Sequence, residues 1–211
     1  MKKLFVFGDS WPQGAELRPG EKTFGELIAN KLGFDFKNRA IPSTSIPHLI
    51  LQFNEVLSTS YFSEFDPKNS IMLFFLTSPL RDLVWENGKT RELNHHHLED
   101  YEWYAKYSSD ELHAYRTNTT LLALQRLCDV YQVKNYYIWG WDKVDLWNAV
   151  DTSNFYPISC AEMFTDNYTN ITELQNSKNE YLAAGGHPNQ LGHQIISDNL
   201  SKFIQEKLTS N

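Results

Sequence analysis

Short strand-like segments alternate with amphipathic segments along this chain, and this alternation constrains the fold more than any other feature. Strand patterns cover residues 2–7, 34–37, 70–76 and 135–139, and helical patterns cover residues 23–33, 46–57, 110–131 and 191–208. Apolar strands separated by amphipathic helices indicate a parallel sheet with helices on both faces. The sequence therefore predicts an α/β fold whose active site lies at the carboxyl ends of the strands.

The boundaries of two elements carry their own signals. Thr23 and Glu26 stand three residues apart, as in a capping box, and Gly33 is a natural stop for the first predicted helix. Asp66 and Pro67 predict a turn before the third strand. These residues place the ends of elements independently of the hydrophobic pattern.

Two long stretches, at about residues 84–109 and 141–186, do not follow this rhythm and are rich in aromatic residues. Loops of this length in a domain are usually functional or disordered, and these are too aromatic for disorder. Since 211 residues fit one domain, we expect a single domain over residues 1–211 with two ordered insertions near the strand ends. Their tryptophans could stack on sugar rings or line an acyl pocket, although ordinary packing explains most of them. The tryptophans concerned are Trp85, Trp103, Trp141 and Trp147.

The charge and hydropathy of the chain argue against two classes of partner. The formal net charge is −7, whereas a protein that binds nucleic acid or an anionic membrane needs a basic face. No apolar run approaches the ~20 residues that span a bilayer, and the apolar stretch Leu4–Phe7 is too short for a signal peptide. We therefore expect a cytoplasmic protein without a membrane span. Cys128 and Cys160 are far apart and are interpreted as two free buried thiols.

The candidate nucleophile is Ser10, in the segment Gly8-Asp9-Ser10 that directly follows the first predicted strand. Gly8 permits tight backbone curvature, Asp9 could bind local amides, and the Ser10 N–H could donate to an oxyanion. An Asx-type turn without catalytic function explains the same three residues. The carboxyl end of a strand is nevertheless where a parallel sheet places its active site.

The candidate base is His187, in the segment GGHPNQLGH of residues 185–193. It stands in a glycine-rich turn before the last predicted helix, which Pro188 and Asn189 introduce. A neutral imidazole on a rigid turn suits the activation of a serine hydroxyl, which is too weakly acidic to attack unaided. His193 lies one turn into the helix and is interpreted as a packing residue.

Together, these two segments resemble the SGNH (GDSL-type) hydrolase superfamily. Gly8-Asp9-Ser10 is similar to the family's block after the first strand, and the HPN-x-x-G that begins at His187 is similar to its last block. The two blocks lie near opposite ends of the chain, so the resemblance covers essentially all of it. It implies a flavodoxin-like three-layer α/β/α sandwich and ester hydrolysis through an acyl-serine intermediate. It also implies that Ser10 is the nucleophile and His187 the base.

The family's second block departs from its usual pattern in this chain. That block usually has a glycine after an Asn-x-Ala stretch, and the glycine N–H helps to form the oxyanion hole. Here the chain reads NRAIPSTS, in which Asn38 and Ala40 fit and Pro42 or Ser43 holds the glycine position. Proline has no N–H to donate, but Ser43 or Thr44 could supply one.

The third block also departs from the family, which has an asparagine after the third strand. Here the strand runs into LTSPLRD without an asparagine, so Thr77 or Ser78 would offer a hydroxyl donor in its place. Loss of one donor costs about 10²–10³ in rate. The residues expected in the oxyanion hole are therefore Ser10, Ser43, Thr44, Thr77 and Ser78, with Asp9 and Asn38 supporting the site.

The family's orienting acid is missing from its usual place. The last block usually has an aspartate three residues before the histidine, and Ala184 occupies that position here. A backbone carbonyl could orient His187 instead, which would leave a Ser–His dyad. Since loss of the acid costs up to ~10⁴ in rate in a triad enzyme, a carboxylate from elsewhere would matter. The carboxylates considered are Glu180, Asp142 and Asp198.

Two further residues are expected near the site. Trp11, next to the nucleophile, is a candidate substrate contact. Arg81 could bind a substrate carboxylate or phosphate, or it could form a structural ion pair. The run His95–His97 lacks the spacing of metal ligands and is interpreted as a solvated loop. No nucleotide-binding loop is present, so neither a metal nor a cofactor is expected.

Two hypotheses about function follow. The first is a serine esterase that hydrolyses a small acyl ester, such as an O-acetylated carbohydrate. The second is a catalytically weak or inactive SGNH-like domain that binds a glycan or a protein partner. The altered glycine, asparagine and aspartate positions favour the second hypothesis, whereas the retention of Ser10 and His187 favours the first. The expected partner is a small-molecule or carbohydrate ester and not a nucleic acid, and the oligomeric state is left open.

Overall fold

The computed structural model describes residues 1–58, 65–86, 88–93 and 98–210, and these ranges contain one parallel sheet and one antiparallel hairpin. The strands are β1 (Lys3–Phe7), β2 (Asp35–Asn38), β3 (Ser70–Leu76), β4 (Asp82–Glu86), β5 (Lys89–Leu93) and β6 (Lys134–Trp139). The α-helices are α1 (Ser10–Gln13), α2 (Phe24–Leu32), α3 (His48–Ser58), α4 (Tyr101–Tyr107), α5 (Asp110–Tyr131), α6 (Ile171–Asn176) and α7 (Gln190–Thr209). Short 3₁₀ helices occupy Pro67–Asn69, Leu98–Asp100 and Ala161–Met163.

The parallel sheet has the strand order β2-β1-β3-β6. Strand β1 pairs in parallel with β2 on one side and with β3 on the other, and β3 pairs in parallel with β6. On β6, Tyr137 also forms an isolated parallel bridge with Phe155. This is the strand order of a flavodoxin-like sheet, and the predicted strands are confirmed.

Helices cover both faces of the sheet, since successive side chains of a strand point to opposite faces. In β1, Leu4 and Val6 belong to the apolar cluster that includes residues of α2 and α7. Phe5 and Phe7 belong to the cluster that includes residues of α3 and α5. All four side chains are completely buried. The three-layer α/β/α arrangement is therefore confirmed.

The boundary signals in the sequence are confirmed as well. Thr23 caps α2, and its hydroxyl accepts the N–H of Glu26 at 3.2 Å. Gly33 follows the last residue of this helix in left-handed backbone, with φ of 68°. Asp66 caps the 3₁₀ helix before β3. The local signals thus place the ends of these elements correctly.

Both aromatic insertions contain regular structure. The first forms the hairpin β4–β5 and helix α4, and the Tyr104 hydroxyl hydrogen-bonds the carbonyls of Leu80 and Leu93. The second contains a 3₁₀ helix and α6. Trp141 is buried, whereas Trp85 is largely exposed. The segment with the three consecutive histidines lies outside the described residues.

The two cysteines are free and buried, as the sequence indicates. Burial raises the pKa of the Cys128 thiol to about 12 and raises that of Cys160 well above its usual range. In the described part of the chain, no helix combines the length and the apolar character that a membrane crossing requires.

A glycine turn connects β1 to α1 and sets the position of Ser10. Gly8 has φ of 144°, and a Cβ atom there would lie 2.8 Å from both Phe75 Cβ and Pro12 Cγ. The buried side chain of Gln52 in α3 accepts the Gly8 N–H at 3.0 Å and donates to the Gly8 carbonyl at 2.9 Å. The backbone leaving β1 is therefore held on both sides, at a position where only glycine fits.

Candidate active site

Ser10 begins α1 at the carboxyl end of β1 and is only 8% exposed. Asp9 caps this short helix, because its carboxylate accepts the N–H of Trp11 at 3.0 Å. The N–H of Ser10 lies in the first helical turn, where amide groups have no acceptor within the helix. The hydroxyl and the amide of Ser10 therefore both lie at the carboxyl-end edge of the sheet.

His187 stands in the turn that precedes α7. Its carbonyl accepts the Ala183 N–H at 2.8 Å, and Asn189 caps the helix that follows. This turn brings His187 Nε2 to 3.0 Å from Ser10 Oγ, although the two residues are 177 positions apart in the chain. A hydrogen bond of this length is suited to proton transfer.

A third residue, Glu16, contacts the other nitrogen of the same imidazole. Its Oε2 lies 2.7 Å from His187 Nδ1. Two backbone N–H groups of the turn also donate to this carboxylate, those of Gly185 at 2.8 Å and of His187 at 3.3 Å. Glu16 has a left-handed φ of 66°, which is unfavourable for a residue with a side chain. Backbone strain of this kind is concentrated at functional sites in proteins.

These hydrogen bonds determine the charge of Glu16 and the tautomer of His187. Burial alone would raise the pKa of Glu16, but the hydrogen bonds from His187 and Gly185 outweigh it and lower the pKa below its usual value. An ionised carboxylate only accepts hydrogen bonds, so Nδ1 of His187 carries a proton. Nε2 of the neutral ring then presents its lone pair to the Ser10 hydroxyl.

The carboxylates considered from the sequence do not orient His187. Asp142 accepts a hydrogen bond from a tyrosine hydroxyl at 2.9 Å, and Asp198 pairs with Lys31. Glu180 is exposed. Within the described residues, none of the three hydrogen-bonds His187.

Glu16 is a residue that the sequence reasoning missed. It lies in the loop after α1, near the other end of the chain from the block in which the family has its acid. The pair Gly185-Gly186 was the available signal, because glycines beside a histidine indicate close approach of another group. A Cβ atom on Gly185 would lie 2.6 Å from Glu16 Oε2. The absence of a side chain at Gly185 therefore makes room for the Glu16 carboxylate.

A buried ion pair lies next to Ser10, the candidate nucleophile. Asp9 is completely buried, and its Oδ2 accepts hydrogen bonds from Arg81 Nη1 and from the Thr77 hydroxyl, both at 2.6 Å. The guanidinium carbon of Arg81 lies 5.7 Å from the centroid of the Trp141 ring. Arg81 thus forms a structural ion pair, which was one of its two interpretations.

A cavity of about 510 Å³ lies beside Ser10 and His187. It is lined by polar and aromatic side chains, many of them from the second aromatic insertion. Trp11 forms part of the wall, with its ring 5.0 Å from that of Trp141. The residues singled out from the sequence that line this cavity are Ser10, Trp11, Ser78, Arg81, Trp141, Asp142 and His187.

Three candidates for the oxyanion hole are not among the lining residues of this cavity. The Thr44 hydroxyl hydrogen-bonds two backbone carbonyls, at 2.9 and 3.0 Å. The Thr77 hydroxyl donates to Asp9 and has no second proton to offer. Ser43 is exposed in the same loop as Thr44.

Ser78 and Asn38 have different surroundings. Ser78 lines the cavity, and its hydroxyl oxygen accepts the Leu80 N–H at 3.2 Å, which leaves the hydroxyl proton for another acceptor. Asn38 donates to the Pro12 carbonyl at 3.0 Å and accepts the Ala40 N–H at 3.1 Å. Asn38 therefore joins the loop after β2 to the helix that carries the nucleophile.

His193 is a packing residue, as expected. It is completely buried in α7, and its Nδ1 accepts the N–H of Phe24 at 3.0 Å. Burial, together with the nearby His187, lowers the pKa of His193 to about 4. The imidazole of His193 is therefore neutral at neutral pH.

No protein-family model matches the chain, and no curated protein matches it. Solved structures do have a similar fold. A member of the lipolytic protein G-D-S-L family from Veillonella parvula DSM 2008 is 14% identical, with a TM-score of 0.51 over 94% of this chain and 96% of that chain. The psychrotrophic esterase EstA from Pseudoalteromonas sp., in a structure inhibited by monoethylphosphonate, is 14% identical, with a TM-score of 0.54 over 99% and 100% of the two chains.

A third similar structure is an acetyl xylan esterase, Est2A, from the rumen bacterium Butyrivibrio proteoclasticus. It is 13% identical, with a TM-score of 0.55, and the alignment covers 99% of this chain but 64% of that chain. At these identities the likeness is one of fold. The fold that the GDSL-type resemblance implies is therefore confirmed.

Proposed function

We propose that this protein is a serine esterase of the SGNH type, in which Ser10 is the nucleophile, His187 the base and Glu16 the residue that orients the base. The observation that carries this proposal is the continuous contact from Ser10 Oγ to His187 Nε2 at 3.0 Å and from His187 Nδ1 to Glu16 Oε2 at 2.7 Å. Nucleophile, base and orienting group within hydrogen-bond reach are the signature of covalent catalysis.

The proposed reaction has two halves. Ser10 Oγ attacks the ester carbonyl while His187 Nε2 takes its proton, and collapse of the tetrahedral intermediate transfers that proton to the departing alcohol. A water then attacks the acyl-serine, gives its proton to His187, and the acid is released as Ser10 regains a proton. Glu16 holds the imidazole in the required tautomer and stabilises the imidazolium that forms in each half.

The negative charge on the tetrahedral intermediate needs donors. The Ser10 N–H and the Ser78 hydroxyl are the donors that we assign first, because Ser10 begins its helix and Ser78 lines the same cavity with a free hydroxyl proton. The backbone amides of Ser43 and Thr44 belong to a loop that does not line the cavity, so we assign them no contact with the substrate.

The cavity supports a small acyl group on a polar alcohol, such as an O-acetylated carbohydrate. Its lining contains the side-chain amides of Asn170 and Gln175 as well as the Trp141 ring, and such groups bind sugars. A neighbouring cavity of about 540 Å³ shares Leu80 and Asp142 with it, which leaves room for a larger alcohol. The similar fold of an acetyl xylan esterase agrees with this substrate class.

A fluorophosphonate probe tests the proposal. We expect stoichiometric labelling of the wild type on Ser10 and loss of labelling in Ser10→Ala. We also expect turnover of p-nitrophenyl acetate, with lower turnover of p-nitrophenyl esters that have longer acyl chains. A folded sample that neither labels nor turns over the acetate would refute the esterase and favour the glycan- or protein-binding alternative.

The chain contains a matched control for this experiment. Ser108 Oγ lies 2.7 Å from His113 Nε2, and His113 hydrogen-bonds the backbone of Pro79, so this pair lacks an orienting carboxylate. We expect Ser108→Ala to label and turn over substrate as the wild type does. Labelling on Ser108 in place of Ser10 would show that proximity to a histidine, and not the site described above, determines reactivity.

A further inference from the structure

The guanidinium of Arg81 is held rigidly against the cavity that contains Ser10 and His187. Its Nη1 donates to Asp9 Oδ2 at 2.6 Å and to Thr77 Oγ1 at 3.0 Å, and its central carbon lies 5.7 Å from the centroid of the Trp141 ring. The Arg81 side chain is 13% exposed. A cation fixed on several sides in this way needs no reorganisation when it meets a developing charge.

Among the described residues, only Nη1 of the three guanidinium nitrogens of Arg81 has a hydrogen-bond partner. Among the described residues, the Nε of Arg81 is buried without a hydrogen bond, and no acceptor is seen for Nη2. A buried donor without an acceptor costs about 1–3 kcal/mol. The guanidinium therefore has donors without an acceptor, and Arg81 lines the cavity that a substrate would enter.

We propose that Arg81 donates to the oxyanion of the tetrahedral intermediate, as a third donor beside the Ser10 N–H and the Ser78 hydroxyl. This inference rests on the proposed esterase function. The hydroxyl of Thr77, which adjoins Ser78 in the chain, is already committed to Asp9. Asp9 adjoins Ser10 in the chain, and Ser10 and Arg81 line the same cavity, so the ion pair holds the guanidinium at the wall of the cavity that contains the attacking hydroxyl.

The charges in the cavity favour the oxyanion over an anionic group of the substrate. Asp9 neutralises Arg81, and the carboxylate of Asp142 lines the same cavity. A substrate that carries a carboxylate or phosphate would meet both negative charges in its ground state. An oxyanion forms only during the reaction, when His187 becomes positively charged, and a donor that acts at that stage raises kcat.

Arg81→Lys is the informative variant. The ammonium keeps the positive charge beside the buried Asp9, but one ammonium cannot reproduce a guanidinium that binds on two edges. A neutral residue alone would leave Asp9 as an unpaired buried carboxylate, so Arg81→Gln is combined with Asp9→Asn. Thr77→Val is the matched structural control, since it removes a contact to Nη1 and leaves the donors without an acceptor unchanged.

The experiment measures kcat and KM for p-nitrophenyl acetate and the inhibition constant of an alkylboronic acid, which forms an anionic tetrahedral adduct with a serine. For Arg81→Lys we expect kcat to fall about 10²–10³-fold with little change in KM, as for the loss of one oxyanion donor. We expect boronate affinity to fall by the same factor, because the adduct resembles the transition state. The double variant should behave in the same way.

The experiment can refute the proposed role of Arg81 without refuting the proposed esterase function. If wild type labels with fluorophosphonate and turns over acetate, but Arg81→Lys retains wild-type kcat and boronate affinity, Arg81 makes no oxyanion contact. Equal losses in Thr77→Val and Arg81→Lys would assign Arg81 a purely structural role. If Arg81→Lys instead raises KM only for esters that carry a carboxylate, Arg81 binds an anionic group of the substrate in the ground state. Absence of wild-type labelling and turnover would refute the proposed function itself.

Discussion

The carboxylate of Glu16 is the part of the site that one substitution tests most directly. Glu16→Gln removes the charge and keeps the size of the side chain. The carboxylate accepts from both His187 Nδ1 and the Gly185 N–H, through different oxygens. An amide has only one oxygen, so in either orientation its NH₂ group faces another donor. The variant therefore loses one of the two hydrogen bonds.

The expected magnitude follows from the charge and exposure of the contact. A hydrogen bond to a charged group contributes about 1.5–3 kcal/mol, and each 1.36 kcal/mol is tenfold in rate, so we expect kcat to fall about 10- to 150-fold. The Glu16 side chain is 32% exposed and that of His187 27%, so water can replace part of the lost contact. The loss should therefore be smaller than the ~10⁴ seen when a buried triad acid is neutralised.

The assay is the pH dependence of kcat/KM for p-nitrophenyl acetate. Glu16 has a lowered pKa, so it is negatively charged at neutral pH, and this charge stabilises the imidazolium that forms during the reaction. Protonation of Glu16 at acid pH removes the same charge from the wild type, so the difference between wild type and Glu16→Gln should be largest at neutral pH and shrink as the pH falls through the lowered pKa of Glu16. Glu21→Gln is the matched control, because Glu21 lies beside the same turn but, among the described residues, accepts the Arg18 N–H and no hydrogen bond from His187.

A relocated carboxylate provides the complementary test. Ala184 and Glu16 line one surface cavity, and Ala184 occupies the position at which the resembled family has its acid. We expect Ala184→Asp to restore a large part of the activity lost in Glu16→Ala. If Glu16→Gln stays within about threefold of wild type at every pH, the assignment of Glu16 as the orienting group is wrong.

Three further predictions follow from contacts and pKa values. Gly185→Ala should lower kcat because its Cβ would meet the Glu16 carboxylate, and it should have little further effect when combined with Glu16→Ala, as a double-mutant cycle would measure. His193 has a pKa of about 4 when folded, against ~6.5 in an unfolded chain, so stability rises with pH between these values, and acidification to pH 4 should cost up to about 3 kcal/mol. Urea titrations should show a weaker dependence in His193→Gln, whose amide oxygen can still accept a hydrogen bond. Cys128 and Cys160 should react with a thiol reagent only after denaturation, since burial raises the pKa of both thiols.

The fold could be predicted from the sequence because its determinants are local or periodic. Strands such as Ser70–Leu76 are buried on both faces, and only a sheet covered on both sides accommodates such strands. The cap at Thr23 and the stop at Gly33 are readable from neighbouring residues alone. The hairpin in the first insertion was not predicted, because its exposed strands lack a continuous hydrophobic pattern.

Part of the site could be predicted for a different reason. Ser10 and His187 each follow or precede a recognisable element, so the topology of a parallel sheet is enough to bring them to one edge. Glu16 is not marked in this way. It lies in an irregular loop with a left-handed backbone, and its partner is 171 positions away, so neither periodicity nor motif spacing relates the two residues.

The partners of hydroxyl groups were also beyond sequence reasoning. Thr77 and Ser78 are adjacent hydroxyl residues after the same strand, and both were candidate donors to an oxyanion. The structure separates them by partner: Thr77 donates to Asp9, whereas Ser78 only accepts from a backbone amide. Which hydroxyl remains free depends on a carboxylate 68 positions away, and no local pattern encodes that choice.

Because Glu16 lies near Ser10 in the chain, the geometry of the site depends mainly on how His187 is positioned against these two residues. The candidate nucleophile Ser10, in α1, and Glu16, in the loop after α1, are close in the chain, so their separation is fixed locally, and His187 comes from the other end of the chain. Two side chains in the first turn of α7 fix the position of the turn that carries His187, because Gln190 accepts the Lys22 N–H at 2.7 Å and His193 accepts the Phe24 N–H at 3.0 Å. Both acceptors bind the backbone at the start of α2, which follows the loop that carries Glu16. A residue interpreted only as packing, His193, therefore helps to hold the imidazole of His187 between its two partners.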